Sequence, residues 1–202
     1  MLRRLVDFCA GRTAIYDRLR NWLEGDFRMQ AEVIAGEGLP ECGRVIDVGC
    51  GTATFARLFD PDRYVGIDLD AVYVGGARRR APGHTFHQMD ATSTDFPAGS
   101  FDGGLVVGVL HHLDDATAAA VLDELRRVVK PGGRMLIMEQ THSPWTNPIG
   151  RFVNHFDKGG FIRSPEEYGR LIGPRFRIAR SSRRRSGFVD YVVIAGSAHD
   201  SA

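Results

Sequence analysis

Apolar residues along this chain follow two different rhythms, and the change falls near residue 40. Before it, Leu2, Leu5, Val6 and Cys9, then Ile15, Leu19, Trp22 and Leu23, recur at spacings of three and four, which predicts amphipathic helices packed on the domain. From Arg44 onward, short apolar runs of β type (RVIDV, RYVGI, HTFHQM, GGLVVGVL, RMLIME) alternate with segments of helical composition or periodicity. Such alternation predicts parallel strands joined by crossover helices, an α/β fold. Leu105 to Leu110 is apolar without alternation, as a strand buried on both faces should be, so it is expected at the centre of the sheet.

Helix boundaries are marked at two places. A helix is predicted from Asp114 to Lys130, with Ala118, Val121, Leu122, Leu125 and Val128 on one face and a stop at Pro131-Gly132-Gly133. Ser164-Pro165-Glu166-Glu167 reads as a capping box with proline at the first helical position, opening a short helix to about Ile172. The stretches RFRIARSS and GFVDYVVIAG predict two strands around a turn near Ser186 and Gly187, an antiparallel hairpin over 175–196.

Composition narrows the picture. With 202 residues the chain suits one domain with a full core. Its 26 basic and 25 acidic residues leave no net field toward nucleic acid or anionic lipid, so partners must be argued from sites. Cys9, Cys42 and Cys50 are odd in number and lack metal-ligand spacing, which disfavours a disulfide framework or a metal site and fits a reducing, cytoplasmic setting. No apolar run approaches a membrane span, and MLRRLVDFCAGR has too short an apolar stretch for a secretory signal.

Chemistry concentrates in VIDVGCGTATF, Val45 to Phe55, read as a buried strand, a glycine-rich turn and then a helix. Gly49 and Gly51 let backbone approach a ligand, and a helix start would aim free N–H groups at it. A nucleotide-like ligand follows. The dinucleotide fingerprint requires glycine at position 54, where Thr54 stands, so a nicotinamide cofactor is disfavoured. Asp68, about twenty residues after the first glycine, ends the next apolar run, where a carboxylate can take two ribose hydroxyls. Asp90 ends the third strand at the same sheet edge and can accept from an adenine amino group, while Asp70 reads as the cap of the next helix.

Over Arg44 to Glu139, four ordered matches (VIDVGCGTATF; YVGIDLD; MDAT with FPAGSFD; VLHHL with ELRRVVKPGGRMLIME) resemble the class I S-adenosylmethionine (SAM)-dependent methyltransferases, particularly the small-molecule branch called methyltransferase type 11. The resemblance implies a Rossmann-like, mostly parallel seven-stranded sheet with a C-terminal antiparallel hairpin and helices on both faces. It also implies one domain over 1–202, divided into an N-terminal helical cap (1–43), a SAM-binding core (44–140), a helical insert covering the acceptor (141–174) and the hairpin. Carried over, Asp47, Gly49, Cys50 and Gly51 form the cofactor turn, Asp68 holds the ribose, Leu69 packs on adenine, Asp90 and Ala91 hold the adenine edge, and Val107 lines the cofactor. Ala53 departs from the family, which most often has a third glycine there.

A sulfonium already activates its methyl group, so the protein's task is in-line alignment in a dry pocket, with a general base needed only for protonated acceptors or activated carbon. His111 and His112 are the candidate bases, with His142 and His155 behind them, against a strong alternative that each is structural, bonding backbone at the strand end. Trp145, Phe152, His155, Phe156, Phe161 and Tyr168 in the insert are expected over a hydrophobic acceptor, with Tyr16 and Trp22 closing from the other side. Arg78 to Arg80 and Arg183 to Arg185 read as solvated, and Arg3 and Arg4 give weak support for contact with a membrane surface. The expected activity is methyl transfer to a small-molecule oxygen, nitrogen or carbon, without metal, nucleic acid or stable membrane insertion, and with oligomeric state left open. A non-catalytic SAM-binding domain and a nucleic-acid methyltransferase are the alternatives; the second lacks an [ND]PP[YF]-type motif where Val109-Leu110-His111-His112 stands.

Overall fold

The computed structural model describes residues 22–156 and 160–199, so Cys9, Tyr16 and the other positions singled out before Trp22 lie outside the described residues. Seven strands form one sheet: β1 (Val45–Val48), β2 (Tyr64–Asp68), β3 (Thr85–Gln88), β4 (Phe101–Val107), β5 (Val129–Gln140), β6 (Phe176–Ser186) and β7 (Val189–Ala198). Their spatial order is β3-β2-β1-β4-β5-β7-β6. The first five are parallel, and β7 pairs antiparallel with both β5 and β6. This is the Rossmann-like arrangement that the alternation of runs predicts, with the hairpin at one edge.

Among the described residues, five α-helices accompany the sheet: α1 (Arg28–Gly36), α2 (Ala71–Arg80), α3 (Asp115–Val128), α4 (Pro148–Phe156) and α5 (Pro165–Ile172). Alternate residues of each central strand feed opposite layers, as the pleat dictates. Val45, Leu105 and Leu136 meet Ile34 of α1 and Val74 and Ala77 of α2 on one face. Ile46, Val106 and Ile137 meet Val121, Leu125 and Val128 of α3 and Tyr168 and Ile172 of α5 on the other. Both layers are therefore filled, and the strand tips are left to carry the chemistry.

The helix ends follow their sequence signals. The Asp114 carboxylate accepts from Thr117 N at 2.8 Å to start α3, the Asp70 carboxylate accepts from Val72 N at 2.7 Å to start α2, and Ser164 with Glu167 closes a full capping box on α5. Helix α3 stops at Val128 and passes directly into β5, whose first residue, Val129, pairs with Phe101 ahead of the Pro131-Gly132-Gly133 kink.

One expected element is absent from the described residues. No α-helix follows the glycine turn; a single 3-10 turn, Ala56–Leu58, stands there instead. Ala53 has a left-handed backbone (φ 61°), which interrupts a right-handed helix at its start, and Pro61 comes too soon for a later start to build two turns.

Candidate active site

Parallel pairing brings the C-terminal tips of β1 to β4 level: Val48 is in register with Ile67 and with Val106, and Asp68 with Gln88. Strand order reverses between β1 and β4, and a crevice opens there, as it does in open α/β sheets. The cleft has a volume of about 410 Å³ and is bordered by Asp47, Gly49, Cys50, Gly51, Asp68, Leu69, Asp90, Ala91 and Val107, together with His112 and residues of α2 and α3. That size is within the roughly 300–1,000 Å³ of small-ligand sites.

The turn after β1 is built by glycine where only glycine serves. Gly49 (φ 69°) passes beneath Val109, whose Cγ2 would lie 2.4 Å from an added Cβ, and Gly51 (φ 53°) would aim a Cβ into open space over the cleft. Its amides, however, are already spent. Gly49 N and Cys50 N donate to the Ile67 carbonyl at 2.8 and 3.0 Å, and Gly51 N donates to the Asp68 carboxylate at 2.9 Å. The expectation that Gly49 to Gly51 and a helix start present bare donors to the ligand is thus corrected: the turn offers room and a hydrogen-bonded carboxylate.

The three acidic positions differ in environment. Asp47 is buried and accepts from the Tyr64 hydroxyl at 2.5 Å; loss of hydration pushes its pKa up to about 7, against the lowering effect of that hydrogen bond. Asp68 is half-buried, and burial raises its pKa although Asp70 N and Gly51 N both donate to it. Asp90 is exposed, with Thr92 donating from N and from Oγ1 at 2.8 Å each, and these bonds lower its pKa. Leu69 lies nearby with 68% of its surface exposed, an apolar platform unusual for leucine and suited to a flat ring. A cationic ligand carrying vicinal hydroxyls and an aromatic base fits this set of carboxylates, this platform and the open space over Gly51.

The two adjacent histidines part company. His112 borders the cleft, whereas His111 is buried outside its lining, with Nδ1 2.8 Å from Oε2 of Glu139 and its ring centroid 4.0 Å from that of His112. Glu139 is fully buried and also accepts from Val109 N and Leu110 N at 2.9 Å and from His111 N at 3.3 Å. Arg163 grips the same loop from the other side, donating to the Leu110 and Leu113 carbonyls at 2.7 Å and to Asp115. Sequence reasoning missed both residues. A carboxylate at the end of the apolar run RMLIM was a usable signal for Glu139, because a buried charge needs dedicated partners; Arg163 carried none.

Other singled-out positions are also placed differently. Tyr168 is in the core, its hydroxyl donating to the Gln140 carbonyl at 3.0 Å, and Trp22, Trp145, Phe152 and Phe161 are exposed away from the cleft lining. Tyr168 faces inward because it shares one side of α5 with Ile172, four residues on, and both pack in the layer of Val121 and Leu125 of α3. Aromatic lining comes from Phe27, Phe55 and Tyr73 instead. His142 and His155 are exposed and outside the lining, and the Phe156 side chain lies outside the description. Arg80 is not simply solvated: its guanidinium donates to Thr52 Oγ1 at 3.1 Å and braces the glycine turn, while Arg78 donates to the Phe86 carbonyl at 2.8 Å. Among the described residues, no cluster of metal-ligating side chains occurs and no helix is long and apolar enough to cross a membrane.

Residues 45–133 match the model of a methyltransferase domain family. The chain is 28% identical over 165 residues to a ubiquinone/menaquinone biosynthesis C-methyltransferase of Desulfotalea psychrophila, covering 79% of this chain and 65% of that one. A demethylmenaquinone methyltransferase of Beutenbergia cavernae is 35% identical over 104 residues, 50% of this chain and 42% of the relative. The matched region thus spans less than two thirds of either relative. Among solved structures, a SAM-dependent methyltransferase of Methanosarcina mazei superposes with a TM-score of 0.68 at 19% identity, covering 83% of this chain and 98% of the other. The sheet order and the ordered motifs on the strand tips agree with that match: residues 45–133 are similar to a methyltransferase domain, carried on a Rossmann-like fold.

Proposed function

We infer that the chain is an enzyme that transfers a methyl group from SAM to a small-molecule acceptor. The observation that carries this reading is convergence: Asp47, Asp68, Asp90 and His112, from four different strand tips or the loops behind them, border one cleft of about 410 Å³. In this reading the Asp68 carboxylate takes the ribose hydroxyls, Leu69 packs on the adenine ring, and Asp90 with the Ala91 backbone holds the adenine edge. Asp47, Gly49, Cys50 and Gly51 receive the amino-acid portion, and Val107 closes the floor. When bound, SAM supplies a methyl group on a sulfonium sulfur, already activated toward a nucleophile.

What remains for the protein is alignment and proton management. Val107, Leu113 and Val121 keep that part of the cleft apolar, which excludes water around the reacting centre. His112 receives the acceptor's proton at a ring nitrogen where the acceptor is protonated, and His111, outside the lining, serves to orient it. Glu139 and Arg163 fix the loop that carries both rings. A small molecule is favoured over nucleic acid by the names of the two relatives and by the absorption of Arg78 and Arg80 into internal bonds. A cytoplasmic setting is supported by the free thiols of Cys42 and Cys50.

Calorimetry with SAM and S-adenosylhomocysteine, followed by methyl-transfer assays on a panel of neutral aromatic, amine and quinone-type acceptors, tests the proposal. Binding of both and transfer to at least one acceptor is the expected result; indifference to both ligands removes the reading. His112→Ala tests the proton role: S-adenosylhomocysteine affinity stays within about threefold while turnover of a hydroxyl acceptor falls by the roughly 10²–10⁴-fold that general bases contribute.

A further inference from the structure

We propose that the face formed by α4 and the β6–β7 turn is a docking surface for an anionic lipid bilayer, independent of the cleft and its chemistry. Helix α4 turns Gly150 and Asn147 toward the β6–β7 turn, where Asn147 Nδ2 donates to the Phe188 carbonyl at 2.9 Å and to Asp190. Its outward stripe is apolar: Trp145 just before the helix, Ile149 and Phe152 are 81%, 48% and 58% exposed. Ile149 and Phe152, three residues apart, share one side of the helix, and Trp145 stands in the turn that leads into it. Trp22, 66% exposed, joins this face through Phe188, with ring centroids 5.7 Å apart, and Phe188 N is itself held by the Leu23 carbonyl at 2.8 Å. A soluble surface seldom gathers two indoles, a phenyl and an isoleucine without a use for them.

Cations surround these groups. Arg151 is exposed on α4, and Arg183, Arg184 and Arg185 are exposed at the turn end of β6. Arg183 donates to the His142 carbonyl at 3.3 Å, and Arg185 donates to the same Asp190 that Asn147 engages, so these two arginines and the apolar stripe belong to one surface. Residues 141–156 and 176–189 hold six arginines and no acidic residue, which leaves 20 basic against 25 acidic residues elsewhere in the chain. Several of these cations do meet acidic groups: the buried Asp190 pairs with Arg185, Glu37 of α1 pairs with Arg180, and from α5 Glu166 lies near Arg183 and Glu167 near His142. The near-neutral total therefore conceals a polarised molecule.

Insertable tryptophan, phenylalanine and isoleucine side chains ringed by guanidinium groups are the composition of an interfacial membrane contact. A nucleic acid would use the charge but has no place for Ile149, and an aqueous protein partner has no need of an exposed apolar stripe flanked by Arg151 and Arg183. The bilayer satisfies both halves.

The chain's two tryptophans, Trp22 and Trp145, both lie on this face, so intrinsic fluorescence reports on it directly. Full-length protein is titrated with vesicles of phosphatidylcholine alone and of phosphatidylcholine with 30% phosphatidylglycerol (about this proportion gives a strongly anionic surface), following emission and co-sedimentation. The expected result is a blue shift and sedimentation with anionic vesicles, weakened by salt. Arg151→Gln with Arg183→Gln should lower partitioning by about 25-fold, at roughly fivefold for each basic residue near the surface. Trp145→Ala should weaken it with no change in far-UV circular dichroism or S-adenosylhomocysteine affinity. No binding, equal binding to both vesicle types, or an unaffected Trp145→Ala variant would overturn the proposal. So would tight RNA binding without vesicle binding, or tryptophans already shielded from acrylamide in vesicle-free protein, which would show the face covered by the chain itself or by a second copy.

Discussion

Replacing Glu139 with glutamine changes one atom at a point where four nitrogens converge on a single fully buried carboxylate. A carboxylate only accepts, so all four act as donors to it. Turned with its oxygen toward Val109 N and Leu110 N, the glutamine keeps two bonds at neutral rather than charge-assisted strength, a loss of about 1 kcal/mol each. Its NH₂ group then faces the His111 N–H, leaving a buried donor unsatisfied at about 1–3 kcal/mol. His111 Nδ1 can accept after a change of tautomer and adds little. The sum is about 3–5 kcal/mol, which for a chain of this length lowers Tm by roughly 6–20 °C. Differential scanning calorimetry measures the shift, and calorimetric titration with S-adenosylhomocysteine measures the cost to the cleft, since Val109, His112 and Leu113 border it. A shift under about 2 °C with unchanged affinity would refute the argument, because it would mean the loop holds its place without the carboxylate.

The remaining predictions rest on other residues of the site. Asp68→Asn should weaken SAM binding by at least about tenfold, the worth of one charge-assisted bond, and cost a few degrees of Tm because Gly51 N and Asp70 N lose a charged acceptor. Burial raises the Asp47 pKa from an ordinary value of 3.8 to about 7, so the folded state holds a proton that the unfolded chain releases. That contribution to stability is full below about pH 4 and is lost as pH rises through about 7. Tm should therefore decline across this window, and Asp47→Asn should flatten the decline in a pH series of thermal melts. Arg80→Met, which removes the guanidinium bonds to Thr52, should weaken S-adenosylhomocysteine several-fold with little change in Tm, read by the same titration. Ala53→Gly relieves a left-handed alanine at about 1–2 kcal/mol but gives back unfolded-chain entropy of about 0.4–1 kcal/mol and a buried methyl worth about 0.8 kcal/mol. The net should fall within about 1 kcal/mol of zero in urea unfolding, and a loss beyond about 2 kcal/mol would show that the turn needs the methyl.

The sheet was legible because its strands are apolar runs of proper length, separated by marked helix ends such as Asp114 and Ser164. The strand tips were legible too, since Asp68 and Asp90 follow their runs directly, and parallel pairing then brings them together. The conformation of the turn was not. A glycine-rich stretch signals close approach, but whether its amides face a ligand depends on the Ile67 carbonyl and the Asp68 carboxylate, which come from another strand. Glu139 and Arg163 were hidden for a related reason: both bind backbone atoms 28 or more residues away, and backbone atoms leave no mark in a sequence once the side chains above them are read. The insert aromatics misled because hydrophobic character alone does not distinguish a residue that faces a cleft from one that faces the core, like Tyr168, or the outside, like Trp145.

Because β7 lies between β5 and β6, the sheet cannot close in the order in which the ribosome makes it. Met135 to Met138 pair along one side with β4 as soon as both strands exist, while the other side waits for Val193 to Gly196, more than fifty residues later in synthesis. Until then a nascent chain presents an unzipped apolar margin, an invitation to wrong partners. The arginine-rich β6 emerges in the interval, and its mutual repulsion discourages one such strand from adding to another. The same residues that set the charge of the finished surface would thus act earlier as a guard on an unfinished one.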